Sequence, residues 1–329
     1  MIPIRDTKFS STRPVATYTL IGITAFVFLI QLMAGLQNQE ILYTYGLVPA
    51  KYNVKSISIY FSFTNHIFSL FSYMFLHGGF FHFAGNMLFL FVFGDNVEDY
   101  LGHFRYICFY VLCGLFSGFF HLALNPVSQV PTIGASGAIA GIMGAYFLLY
   151  PRSKILTIIP IFIIPFFVEI PAFIFLGGWF LIQFFSVAGQ GGQMTQIAWW
   201  AHIGGFLSGM VLIRLSKYLP IVNKDSILQK VTRKKKTPKF QIIKVYPMEN
   251  TYDLQGRIII STIEAITGTE KIVNIPWGFN KRFYKVSIPS GVKNGTKLKL
   301  AGLGRLNPAS TKGDLYLNID IKNLILKSI

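Results

Sequence analysis

The stretch PTIGASGAIAG, Pro131 to Gly141, sets one serine in a run of glycines and alanines. Small residues recur at four-residue spacing through Gly137, Gly141 and Ala145, which is how one membrane helix lets another backbone come close. Ser136 stands at the start of that pattern. Taken alone it reads as a packing residue before it reads as a nucleophile. The Gly-x-Ser-x-Gly elbow of soluble hydrolases is absent, because Ala138 fills the last position and no strand precedes the serine. Its surroundings have to decide between the two.

Those surroundings are strongly apolar. Of 329 residues, 52% are hydrophobic and 32 are Phe, with a mean hydropathy of +0.50, values that point to a polytopic membrane protein. A span needs about 20 mainly apolar residues. Six segments qualify as expected spans: Tyr18–Leu36, His82–Leu101, Phe104–Leu124, the short Ala135–Tyr150, Ile155–Phe185 and Ala198–Leu219. Pro160, Pro165 and Pro171 break the fifth, which is expected to be tilted or partly unwound. The segment before the first span carries Arg5, Lys8 and Arg13 without a cleavage pattern, so the first span is expected to remain. Between spans one and two, the apolar patch Ile57–Leu76 reads as an interfacial helix. Cys108 and Cys113 fall within one apolar stretch and read as buried structural thiols, not as a disulfide or zinc framework.

The formal net charge of +17 does not imply nucleic acid, since the basic residues crowd into loops and the last third of the chain. The amino terminus, Arg152 and Lys154 after span four, and Lys217, Lys224 and Arg233–Lys236 after span six share one side. The opposite loops, NPVSQVPT and GQGGQMTQ, have no Lys or Arg. Both termini are therefore expected in the cytoplasm. Beyond a basic linker, 220–241, short alternating runs such as RFYKVSIP, TKLKLAG and DLYLNIDIK, separated by turn signals such as Asn294-Gly295, predict a small soluble β-domain over 242–329.

Three segments complement Ser136. His202 lies in AWWAHIGGFLSGM, where Ala201, Gly205 and Gly209 form a second small-residue face. A titratable group inside a membrane segment marks function or a satisfied internal contact. His82 and Asn86, in FFHFAGNMLFL, are four residues apart and share a helical face. With the amino terminus inside, spans two, four and six all enter from outside, and these four residues fall in their first turns. Unrelated packing residues have no reason to agree in depth. A hydroxyl nucleophile, an imidazole to take its proton and side-chain donors for an oxyanion form a chemical set. With no carboxylate nearby, the set is a Ser-His dyad.

FLHGGFFHFAGNMLFLFVFGDNVEDYLG, GASGAIAG and AHIGGFLSG, in this order, resemble the rhomboid family of intramembrane serine proteases over about Tyr18–Leu219. The resemblance implies an all-α polytopic fold of six transmembrane helices over residues 1–219. It also implies Ser136 as nucleophile, His202 as general base and then acid, and His82 and Asn86 as oxyanion donors with the backbone N–H of Ser136. His77 matches a structural histidine of the family, and the fifth span its lateral gate. Substrates would be transmembrane proteins cut near the outer face, without cofactor or metal, in a bacterial cytoplasmic membrane. Two departures stand out: Ala140 replaces an aromatic residue that stacks on the imidazole in some relatives, and Phe68-Ser69 replaces a Trp-Arg pair. Other residues must therefore orient His202.

TIEAITGTEKIVNIP, VSIPSGVKNGTKLKLAGLG and GDLYLNIDI resemble one β-domain of the carboxy-terminal region of DnaJ-type co-chaperones over Asp253–Lys322, with no His-Pro-Asp tripeptide. This implies a cytoplasmic peptide or protein partner, against the plainer reading of a stabilising module. The RKKK run could also rest on anionic lipid. The alternative for the whole chain is a non-proteolytic rhomboid-like protein that binds or escorts membrane helices.

Overall fold

Long helices occupy the first part of this chain and most of the strands the last, and the boundary follows the change in composition. The computed structural model describes residues 1–161, 164–189, 198–218, 232, 237, 240–249, 251–277, 280–308 and 311–322. Two units, Met1–Thr232 and Arg233–Ile329, each enclose their own core. Most of the basic linker, including Arg233–Lys236, and the loop GQGGQMTQ after Ala188 lie outside the described residues, apart from Gly189.

The first unit opens with a short strand, β1 (Ile2–Asp6), and then α1 (Val15–Ala34). Four short helices follow: α2 (Asn38–Tyr45), α3 (Pro49–Asn53), α4 (Lys55–Ser58) and α5 (Phe63–Ser72). Next come α6 (Phe80–Leu101), α7 (His103–Leu124) and α8 (Ser136–Leu149). A hairpin of β2 (Lys154–Ile161) and β3 (Ile164–Pro171) precedes α9 (Ala172–Gly189) and α10 (Trp199–Leu215). By length and composition α1, α6, α7 and α9 are four helices able to cross a membrane; α8 is apolar but shorter, at 14 residues, and α10 has 17. Among the described residues, four of the six expected spans thus contain a helix of spanning length, and α8 and α10 fall short of it.

The fifth expected span is corrected: Ile155–Phe185 is not one helix. Its first half pairs as an antiparallel hairpin in which Pro160 opposes Pro165, and β1 adds to β2 to make the order β1-β2-β3. In a helix interior each proline would remove a backbone hydrogen bond and clash with the preceding turn. Near a hairpin tip the same residues cost little, and the surrounding Ile and Val residues favour strand. Glu169, expected deep in a helix, instead lies in β3 and pairs with Lys154 at 3.2 Å. The Ile57–Leu76 segment forms α4, α5 and a short 3-10 turn, with Ser62 capping α5 by accepting from the Asn65 N–H. Cys113 is buried, whereas Cys108 is exposed on α7, which corrects the reading of both as buried.

Acidic residues at the end of α6 fix the amino-terminal segment. The fully buried carboxylate of Glu98 accepts from the N–H groups of Ala16 and Thr17 at 2.9 and 2.7 Å, two donors that the first turn of α1 leaves unpaired. It also accepts the Thr17 hydroxyl at 2.7 Å, while Asp99 takes Ser11 and Thr12.

The second unit contains β4 (Phe240–Ile242), β5 (Val245–Pro247), β6 (Leu254–Ser261), α11 (Thr262–Thr267), β7 (Thr269–Trp277), β8 (Asn280–Ile288), β9 (Lys297–Leu300) and β10 (Leu315–Lys322). One sheet has the order β5-β6-β10-β9 and the other β4-β7-β8. Alternation sets the faces: Leu315, Leu317 and Ile319 point inward with Leu254, Ile258 and Ile260 from the parallel neighbour β6. Ser261 and Glu264 form a capping box on α11, and buried Lys271 donates to both Glu264 and the Thr237 hydroxyl.

Candidate active site

Packing between α8 and α10 brings the site together. A Cβ on Gly205 would lie 2.1 Å from the Gly137 carbonyl oxygen, and one on Gly209 would lie 1.9 Å from that of Gly141. No side chain fits either position, so the two small-residue faces touch backbone to backbone. Ser136, the first residue of α8, and His202, in the first turn of α10, meet with Oγ and Nε2 2.8 Å apart. Both are half-buried, so one side of the pair is open.

The loop leading into Ser136 runs against α6. Gly134 adopts φ +119°, a conformation that side chains rarely take, and a Cβ there would sit 2.8 Å from His82 Nε2 and 3.7 Å from Asn86 Nδ2. His82 and Asn86, one turn apart on α6, thus flank the backbone two residues before Ser136. The Gly78 N–H donates to His82 Nδ1 at 3.4 Å, which leaves Nε2 as the protonated nitrogen. Asn86 is buried and donates to the His82 carbonyl at 3.0 Å. His77 is buried as an anchor: it accepts the Ala135 N–H at 3.5 Å through Nε2, with its Nδ1 3.3 Å from the Phe75 carbonyl. Gln31 holds the backbone of His77 from α1 at both its N–H and carbonyl, 2.9 and 3.1 Å away.

Three contacts of His202 escaped the sequence reading. Its Nδ1 lies 2.8 Å from Oε1 of Gln183 on α9. The Trp179 ring lies 5.8 Å from the imidazole at a tilt of 37°, and Trp199 stands edge-on at 6.1 Å. These rings occupy the imidazole's flanks where Ala140, buried within α8, offers no aromatic surface. A polar Gln in an otherwise apolar helix was the available signal for Gln183, since polar groups at such positions are costly unless paired. Among the described residues no group of three or more His, Cys, Asp and Glu side chains is placed to hold a metal.

Comparison with known proteins gives this arrangement its family. Residues 64–218 match the family model of the Rhomboid domain. That segment is a rhomboid domain. The match takes in α6 to α10, and with them Ser136, His202, His82 and Asn86. Residues 254–325 match a second family, the DnaJ C terminal domain. The rhomboid part is 29% identical over 201 residues to Rhomboid protein 1, mitochondrial, of Saccharomyces cerevisiae, covering 59% of this chain and 51% of that protein. It is also 32% identical over 143 residues to the Rhomboid protease GluP of Bacillus subtilis, covering 43% of this chain and 25% of that protein. The β-domain is 33% identical over 69 residues to the DnAJ-like protein slr0093 of Synechocystis, covering 21% and 20% of the two chains. The chain therefore spans about half or less of the length of these curated relatives. With its apolar helices and rhomboid domain it is an integral membrane protein.

Proposed function

We propose that the chain is a rhomboid-type intramembrane serine endopeptidase that cleaves transmembrane proteins near the outer face of the membrane. The observation that carries this reading is the 2.8 Å contact between Ser136 Oγ and His202 Nε2 at the starts of two closely packed helices. Ser136 Oγ attacks the scissile carbonyl as its proton passes to His202 Nε2. The resulting imidazolium then gives that proton to the leaving amine. Cavity water, activated by the same nitrogen, hydrolyses the acyl-enzyme. The oxyanion is held by the Ser136 backbone N–H with His82 and Asn86, whose ring and amide nitrogens border Gly134.

The charge asymmetry of the loops supports an orientation with both termini in the cytoplasm. Within this reading 1–219 is the protease domain, 220–241 a linker and 242–329 a domain that binds a cytoplasmic peptide or protein partner. The match of residues 254–325 to the DnaJ C terminal domain supports the last assignment.

A serine-directed fluorophosphonate probe tests the nucleophile. Purified wild-type protein is expected to label covalently, and Ser136→Ala and His202→Ala to lose the label while keeping their helical circular dichroism. Absence of labelling in folded wild-type protein would favour the non-proteolytic, helix-binding alternative.

A further inference from the structure

The dyad contains no carboxylate, yet its imidazole has a partner on the nitrogen away from serine. We propose that Gln183 is the positioning residue of His202, holding the imidazole in the tautomer that can accept the serine proton. This inference rests on the Ser136–His202 reading of the site.

The polarity of the hydrogen bonds runs in one direction through four groups. The Trp179 carbonyl can only accept, and it lies 3.2 Å from Gln183 Nε2. That contact turns the NH2 end of the amide toward α9's own backbone and leaves Oε1 facing the imidazole. An amide oxygen likewise only accepts, so at 2.8 Å it requires a proton on His202 Nδ1. A neutral imidazole with its proton on Nδ1 carries its lone pair on Nε2, the nitrogen 2.8 Å from Ser136 Oγ. Reversing the amide would set its NH2 group against Nδ1 and favour the opposite tautomer, in which Nε2 has no lone pair for the serine proton.

Burial shows that this contact is built and not incidental. Gln183 is 4% exposed, and it is the buried residue of α9 among those that follow Leu176. Its neighbours Leu181, Ile182, Phe184 and Phe185 are all exposed on the outer surface of the helix. An unpaired amide in an apolar helix would be costly, whereas here both ends of the amide are paired. The two tryptophans limit how far the ring can rotate about this bond.

Two variants of the full chain separate positioning from packing. Gln183→Met keeps the volume but offers Nδ1–H only a weakly accepting thioether sulfur, while Gln183→Glu retains an accepting oxygen in either protonation state. With a reporter membrane helix as substrate, Gln183→Met is expected to lose kcat by about 10- to 100-fold at little-changed KM, and Gln183→Glu to keep most of it. Equal turnover by Gln183→Met and wild type, or an equal fall in both variants, would overturn the proposal. Histidine nitrogen NMR of the resting protein reads the same claim without turnover. The His202 signals are expected to report protonated Nδ1 in wild type and a mixed or reversed tautomer in Gln183→Met. An unchanged tautomer in Gln183→Met would overturn the positioning role. Failure of wild type to cleave or label would count against the proposed peptidase, while the NMR result would still decide the role of Gln183.

Discussion

The proposed activation of Ser136 comes from where its neighbours stand and not from any unusual property of its own. Its helix starts at the serine, Gly134 turns the chain at positive φ just before it, and His82 and Asn86 close on that turn. If these two side chains stabilise the oxyanion, His82→Ala and Asn86→Ala should each lower kcat by about 100-fold with little change in KM. Initial-rate measurements on a reporter helix check this, and a loss seen only in KM would remove them from transition-state stabilisation. A different residue pair governs the β-domain. Burial works to raise the Glu264 carboxyl, but hydrogen bonds from Lys271, Thr237 and Ser261 outweigh it and hold the group below its ordinary value. A carboxyl with a depressed folded pKa binds fewer protons folded than unfolded, so its contribution is present above the ordinary value of roughly 4.3. It is lost as pH falls through the folded value. Protection of the β6 and β7 amides from hydrogen exchange, measured relative to the intrinsic rate at each pH, should accordingly fall below about pH 4 in wild type. In Glu264→Gln protection should already be lower at neutral pH, where removing one partner of a buried pair costs about 3–5 kcal/mol, and depend less on acid.

At the level of elements, the packing of α8 on α10 sets the geometry of the dyad. Gly209→Ala adds a methyl 1.9 Å from the backbone oxygen of Gly141, an atom that cannot move without its helix. Such overpacking is expected to destabilise the first unit by about 1–3 kcal/mol and to reduce turnover. Gly22→Ala, in the interior of α1, adds a methyl that meets nothing within 4 Å and should lower neither, as thermal unfolding and cleavage assays will show. The glycine spacings of these two helices were legible in the sequence because close approach restricts residue type directly. The hairpin of β2 and β3 was not, because a long apolar run satisfies the length criterion for a span while its three prolines argue against a continuous helix. Gln183 escaped for a related reason: its role depends on α9 facing His202, a tertiary relation that spacing along the chain does not encode. Glu98 was likewise visible only as a charge near the end of a helix until the structure set it against the first turn of α1.

Across the whole molecule, composition forecast the two kinds of structure: apolar helices first, alternating strands after. Period-two alternation in DLYLNIDIK gave the inward face of β10 directly, since Leu315, Leu317 and Ile319 are all buried. The amino-terminal strand was not legible, because Ile2–Asp6 becomes a strand only by pairing with β2. Helices α6, α8 and α10 contribute the candidate catalytic groups, and α9 supplies the imidazole's second partner. Hydrolysis of a peptide bond within a membrane helix is the activity this assembly is proposed to perform. The most direct measurement reconstitutes the purified full chain in liposomes with a reporter transmembrane helix and follows the cleavage products by mass spectrometry. The account predicts cleavage at one or a few bonds near the outer end of the helix by wild type and none by Ser136→Ala. An intact reporter with folded wild-type protein, or equal cleavage by Ser136→Ala, would contradict it.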